Sequence, residues 1–218
     1  MAGHTVQATI ETGRGARVQA RGDDHRPLAG ALLFAVGAQF MTVIMLGASM
    51  APGYDLSDGA ISDLGVIDET AGLFNASLIA TGVLTLAAGY LLYRHDRRPW
   101  VLATFALAAI GAVGAGMVPL DRSEVHGLSA LVAFLFFNLL PLATLGQVRG
   151  PMRIVSIAAG LTGLAFVMLM VVGDAGNPGV FGPIGHGGAE RMIVYPAMLW
   201  LMAFGGYLMA ARRSQLMG

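Results

Sequence analysis

The sequence predicts an all-α integral membrane protein: a bundle of six transmembrane helices with both termini in the cytoplasm. Three observations predict it. The 218 residues are 56% hydrophobic and 12% charged, with a mean hydropathy of +0.68, against about 25% charged in an ordinary soluble domain. Six apolar runs recur, each near the roughly 20 residues that a helix needs to cross hydrocarbon. The arginines between those runs fall almost entirely on alternate sides, and so give the bundle a direction.

The runs are 28–50, 71–93, 100–118, 127–148, 154–173 and 192–211, and none contains Asp, Glu, Lys, Arg or His. Lipid offers the backbone no hydrogen bonds, so a span must be helical or part of a closed barrel. Barrel strands alternate in polarity, and these runs do not. Residues 1–26 are polar and rich in Gly and Arg, without the apolar core of a signal peptide; they are expected to be a flexible cytoplasmic tail. Arg14, Arg17, Arg21 and Arg26 also suit contact with anionic lipid. The transmembrane domain is expected over 27–213, with a short cytoplasmic end at 214–218.

Eleven of the thirteen arginines lie in the tail, in "RHDRRP", in "RGPMR" and at the C-terminus, all on one side of a six-span topology. Only Arg122 and Arg191 lie on the other, which is therefore expected to face outward from the cell membrane. Nine of the thirteen acids sit on that outer side. Lysine is absent, as in a GC-rich or salt-adapted prokaryote. Cysteine is absent too, which excludes disulfides, thiolate nucleophiles and Cys-ligated zinc. The net charge is zero, so the lipid bilayer is the expected partner and nucleic acid is not.

The first outer loop, "YDLSDGAISDLGVIDET" (54–70), holds five acids and no base. Part of that acidity suits a helix N-terminus: Asp68-Glu69-Thr70 stands where the second helix should be capped, and Asp121 with Glu124 has capping-box spacing before the fourth. "GAVGAG" (111–116) spaces small residues for close helix contact. Asn75, Ser77, Thr81 and Asn138 are expected to hydrogen-bond between helices. Pro141 and Pro196 are expected to kink the fourth and sixth spans and free a carbonyl each.

Three outer segments supply the candidate ligand-binding residues Ser62, Asp63, Asn75, Asp121, His126, Glu190 and Arg191. Each has a structural reading beside the functional one. "SDLG" is ordinary turn chemistry, yet Ser62 beside a His is also a nucleophile's arrangement. Arg191 either clamps helices through Asp63, Asp121 or Glu190, or binds a ligand carboxylate or headgroup. His126 and His186 are either hydrogen-bonded at helix starts or, with Asp121 or Glu190, ligands to a zinc. His186 and Glu190 share a face only if the sixth helix extends back through Gly187-Gly188, against which Pro183 and those glycines argue.

"DGAISDLGV", Phe74-Asn75, "DRSEVHG" (121–127) and "GGAERMIVYPAMLW" (187–200), in that order, resemble the six-helix membrane family called domain of unknown function 998, over roughly 28–207. The resemblance implies a prokaryotic integral membrane protein and carries no activity with it. A looser likeness is to membrane hydrolases that include the alkaline ceramidases, which use a Ser, an Asp and three His around a zinc among seven helices; here there are six spans and two outer His. Three functions stay open on the residues: an outward-facing polar cluster that binds a lipid headgroup, small solute or partner; a metal-dependent lipid hydrolase using His126 and His186; and a small-solute transporter. Asp63, Asp121, His126, Glu190 and Arg191 are expected to share one pocket.

Overall fold

The computed structural model describes residues 24–214. The expected tail with Arg14, Arg17 and Arg21, and the short end after residue 214, lie outside the described residues, as do the side chains of Arg212 and Arg213. Six helices cross the fold: α1 (Arg26–Met50), α2 (Ala71–Asp96), α3 (Pro99–Met117), α4 (Val125–Ala143), α5 (Pro151–Asp174) and α6 (Gly185–Ser214). All six are long and apolar enough to span a membrane. Three 3-10 turns, Ile61–Gly65, Leu145–Gln147 and Pro178–Ile184, lie between them, and no strand occurs among the described residues.

Successive helices pack side by side and α6 returns to α1, so the bundle closes into a ring. Its perimeter carries Met45, Ile110, Leu128, Ile154, Leu161 and Met168, all exposed. That much apolar perimeter has lipid, not water, as its natural solvent. α1, α3 and α5 each start with proline in the first turn (Pro27, Pro99 and Pro151), where a missing N–H costs nothing. Those three starts share the arginine-rich end, called here the basic end. There Asp24 accepts from Arg26 at 2.9 Å and lies 3.8 Å from His95, which joins the start of α1 to the end of α2. The Arg26 guanidinium holds the Asp24 carboxyl below the usual carboxylate range.

Small residues set the distances between helices. A Cβ on Gly111 would strike the Ala133 backbone of α4, one on Gly116 would press on Asn75 O of α2, and one on Gly30 would press on Gly205 O of α6. The "GAVGAG" run thus serves two neighbours at once, because positions five apart face different sides of α3. Ser77, Thr81 and Asn138 pair between helices, while Asn75 turns to the first loop at Gly65 O. Ser77 donates to Gln39 Oε1 (2.8 Å) and Gln39 donates to Thr81 Oγ1 (2.6 Å), joining α1 to α2. Asn138 donates to Ile193 O (3.1 Å) and so ties α4 to α6. Trp200 donates to Ser156 Oγ (2.8 Å) and stacks on Phe204. Pro141 lies two residues before the last residue of α4, Ala143, beyond which Thr144 donates back to Leu140 O (2.8 Å); it ends the helix more than it kinks it.

Three expectations are corrected. α6 begins at Gly185, seven residues earlier than the apolar run, so His186, Glu190 and Arg191 are helical. Thr70 does not cap α2; its hydroxyl turns back to Leu64 O (2.8 Å). Glu124 stands at the start of α4 without a side-chain cap, and Ser123 Oγ, not Asp121, accepts a first-turn N–H, that of Val125 (3.1 Å).

Glycine packing yields a paired prediction. Gly111→Ala places a methyl against backbone that cannot yield and is expected to cost about 1–3 kcal/mol. Gly206→Ala meets open space and is expected to be neutral or to stabilise by up to about 1 kcal/mol. Thermal unfolding of the two variants in detergent, beside the parent, checks both signs.

Candidate functional site

The end of the ring opposite the basic end carries the acid-rich loop, and that loop folds inward. Asp55 Oδ1 accepts from Ser57 N (2.7 Å), Ser57 Oγ (2.6 Å) and Asp58 N (3.3 Å), and these bonds hold the Asp55 carboxyl below its ordinary range. Asp63 Oδ2 accepts from Ala60 N (2.8 Å), closing the start of the turn Ile61–Gly65. Ile61 and Leu64 are thereby sunk into the core. Leu64 fits against Gly47 of α1, and Asn75 of α2 donates to Gly65 O (2.9 Å). Asn75 and Thr70 thus satisfy carbonyls that the turn would otherwise bury bare.

The same loop rests on the start of α6. Gly185 and Gly187 come so close to Ser57 O and Gly59 O that neither position has room for a Cβ. Gly188 N donates to Ser57 O (3.2 Å). The glycines that argued against a helix here are the residues that let the helix start beneath the loop. Arg191 is 8% exposed and donates from Nη1 to Gly59 O (3.0 Å) and Gly187 O (2.7 Å), and from Nη2 to the Tyr54 hydroxyl (2.7 Å). Tyr54 donates in turn to Ala60 O (2.7 Å), and its ring lies 5.6 Å from the guanidinium carbon. Burial pushes the Tyr54 phenol above its ordinary pKa, with the Arg191 hydrogen bond pulling the other way. Among the described residues Arg191 forms no salt bridge. The partners expected for it, Asp63, Asp121 and Glu190, are replaced by two carbonyls and a phenol, and the side chain faces the loop.

His126 and Glu190 face the other way, into the ring. His126, in the first turn of α4, is 3% exposed. Its Nδ1 lies 2.7 Å from Val118 O and 3.2 Å from Ala115 O. Both are carbonyls at the C-terminal end of α3 that the helix leaves unpaired. Carbonyls only accept, so Nδ1 carries the proton and, in the neutral ring, Nε2 holds the lone pair. That Nε2 is buried without a partner. Glu190, 4% exposed, accepts the Ile61 N–H, an unpaired donor at the start of the 3-10 turn.

A chamber of about 570 Å³ opens here, with Asp58, Ser62, Asp63, Asp174, His186 and Glu190 in its polar wall. Below it lies a narrow apolar cavity of about 60 Å³ between the helices, reaching Asn138 and Met198. Ser62, His126, Ala130, Phe134 and Glu190 line both, forming a collar where polar and apolar spaces meet. Asp121 lines neither space and is exposed on the loop before α4. Asn75 supports the turn from behind. The candidates therefore divide: Ser62, Asp63, His126, His186 and Glu190 share the chamber, while Asn75, Asp121 and Arg191 stand outside it. Asp58 and Asp174 join the wall without having been candidates in the sequence; the one local signal for Asp174 is its position two residues before Gly-Asn-Pro-Gly (176–179).

His186 sits at the rim, with Nε2 3.2 Å from Asp174 Oδ1 and its ring edge-on to Phe181. A catalytic zinc needs about three protein ligands. No group of three or more His, Asp or Glu side chains suited to a metal occurs among the described residues.

A family model described as "Protein of unknown function (DUF998)" matches residues 29–207. No curated protein and no solved structure matches the chain.

The Arg191 clamp is testable by stability. Arg191→Lys keeps the charge and loses the planar fork, and is expected to cost about 1.5–3 kcal/mol, the range for hydrogen bonds to charged groups. Tyr54→Phe removes a shared partner, so the double variant is expected to cost less than the sum of the two. Because the folded phenol pKa is raised, its share of the stability is complete below the unfolded value near 10 and is lost as pH rises through the folded one. Thermal melting in detergent from pH 8 to 11, with limited proteolysis of the 54–60 loop, reads both effects.

Proposed function

The chain belongs to the DUF998 family of proteins of unknown function, and from that premise we propose that it is a cell-membrane protein whose outward chamber binds an amphiphilic small molecule. The direction rests on the arginines: a basic end in the cytoplasm, with both termini, puts the chamber on the outer side. One observation carries the binding reading. The chamber wall includes the exposed apolar side chains Leu131 of α4 and Val171 of α5. On this reading the space borders lipid on that flank and the polar collar on the other. A headgroup seated at Ser62, His126 and Glu190, with its chain leaving between α4 and α5, satisfies both. Such a pocket, with an apolar wall and a few convergent polar groups, is the usual form of a small-molecule site.

A second reading has one observation in its favour. The His126 Nε2 lone pair lies in the same collar as Ser62, and an oriented imidazole beside a hydroxyl or water is a general base. On this reading the bound lipid is hydrolysed. Ion-coupled transport draws no comparable support, since ionisable residues are missing from the middle of the spans.

Photolabelling tests the chamber. A lipid with a diazirine on its acyl chain, added to the protein in nanodiscs, is expected to label the α4–α5 flank saturably, with competition by unlabelled lipid. Ala130→Trp fills the collar and is expected to weaken that labelling about tenfold or more, equivalent to about 1.4 kcal/mol, while labelling at Ile154 is unchanged. Uniform labelling around the ring, without saturation, would overturn the reading.

A further inference from the structure

The chamber's electrostatics are one-sided. Asp58, Asp63, Asp174 and Glu190 line it, and no arginine does. The sequence contains no lysine. Arg191, the base adjacent in sequence to Glu190, is turned to Tyr54, Gly59 and Gly187. A second observation, independent of the acids, points to a ligand. His126 is 3% exposed and lines both spaces, and its Nε2 has no partner. Ala115 O and Val118 O, at the end of α3, engage Nδ1, so Nε2 is the nitrogen left over. A buried acceptor without a donor is costly, and a ligand N–H or O–H relieves that cost.

The geometry points to a ligand headgroup that is cationic and rich in donors: a primary ammonium. An –NH3+ group offers three donors and no acceptor, matching a wall of carboxylates and one imidazole lone pair. An anionic headgroup would meet four carboxylates and find Ser62 as its one hydroxyl donor in the polar wall. A quaternary ammonium has no donor for His126 and calls for an aromatic cage; Phe134 is the only aromatic side chain besides the two histidines in the chamber wall. This assignment rests on the amphiphile-binding reading and names the headgroup class for the same site.

The experiment measures competition against the saturable photolabel in nanodiscs. The competitors are phosphatidylethanolamine, phosphatidylcholine and phosphatidylglycerol with identical chains, and free ethanolamine in the buffer. The phosphate common to the lipids cancels in the comparison. Phosphatidylethanolamine is expected to compete about tenfold better than either other lipid. Free ethanolamine competing as well as the lipid would keep the ammonium assignment and place its source in solution; competition by the lipid alone would place it in the membrane. Glu190→Gln, which retains an acceptor for Ile61 N–H, is expected to bring the preference close to onefold while labelling persists. Asp174→Asn, at the exposed rim, is expected to reduce the preference severalfold and guards against a folding defect in the buried variant. Equal competition by the three lipids, or preference for phosphatidylglycerol, overturns the ammonium assignment and leaves the chamber standing. Absence of saturable labelling by any lipid overturns the chamber itself.

Discussion

Everything at the acidic end depends on one constraint: a loop pushed into the mouth of a helix ring must satisfy its backbone without water. The turn Ile61–Gly65 enters an apolar space, and each polar group it brings needs a partner from the chain around it. Asp63 takes the Ala60 N–H and Glu190 takes that of Ile61. Thr70 and Asn75 supply donors to Leu64 O and Gly65 O. Arg191 gathers Gly59 O and the Tyr54 hydroxyl. The many carboxylates of the first loop thus divide into those that build the turn and those, such as Asp68 and Glu69, that remain in water.

That division bears on function. Groups engaged in holding the loop are poor candidates for chemistry, because a ligand would have to break the fold's own bonds to reach them. Arg191 is the clearest case: both terminal nitrogens are engaged, with Gly59 O, Gly187 O and the Tyr54 hydroxyl, despite its position beside Glu190. In the chamber wall, the His126 Nε2, the Ser62 hydroxyl and the rim acids are less committed. Glu190 stands between the two sets, bonded to Ile61 and still part of the chamber wall. The collar is therefore both a structural joint and the floor of the proposed site.

The glycines connect these features to the membrane. At Gly30, Gly111 and Gly116 they let helices approach backbone to backbone, which replaces the hydrophobic drive that lipid cannot supply. At Gly185 and Gly187 the same property lets the loop rest on the start of α6. Residues of one type thus fix the ring and its lid, and lid and ring together leave the chamber between α4, α5 and the turn.

Read alone, the sequence determined the six spans, the sorting of arginines and acids to opposite ends, and the family likeness. Each of those is set by composition over a span or by order along the chain. Tertiary structure alone decided which polar residues meet. Asp121 and His126 are five residues apart, yet one is in solvent and the other in the core, because α4 begins between them and turns the imidazole to the carbonyls ending α3. The early start of α6 was equally hidden: Gly187-Gly188 is disfavoured in an isolated helix, and becomes favourable only when a loop carbonyl needs the space a side chain would fill. Local propensity carries no record of a neighbour brought from more than a hundred residues away, and that neighbour, Gly59 against Gly187, is what places Glu190 at the chamber and Arg191 against the loop.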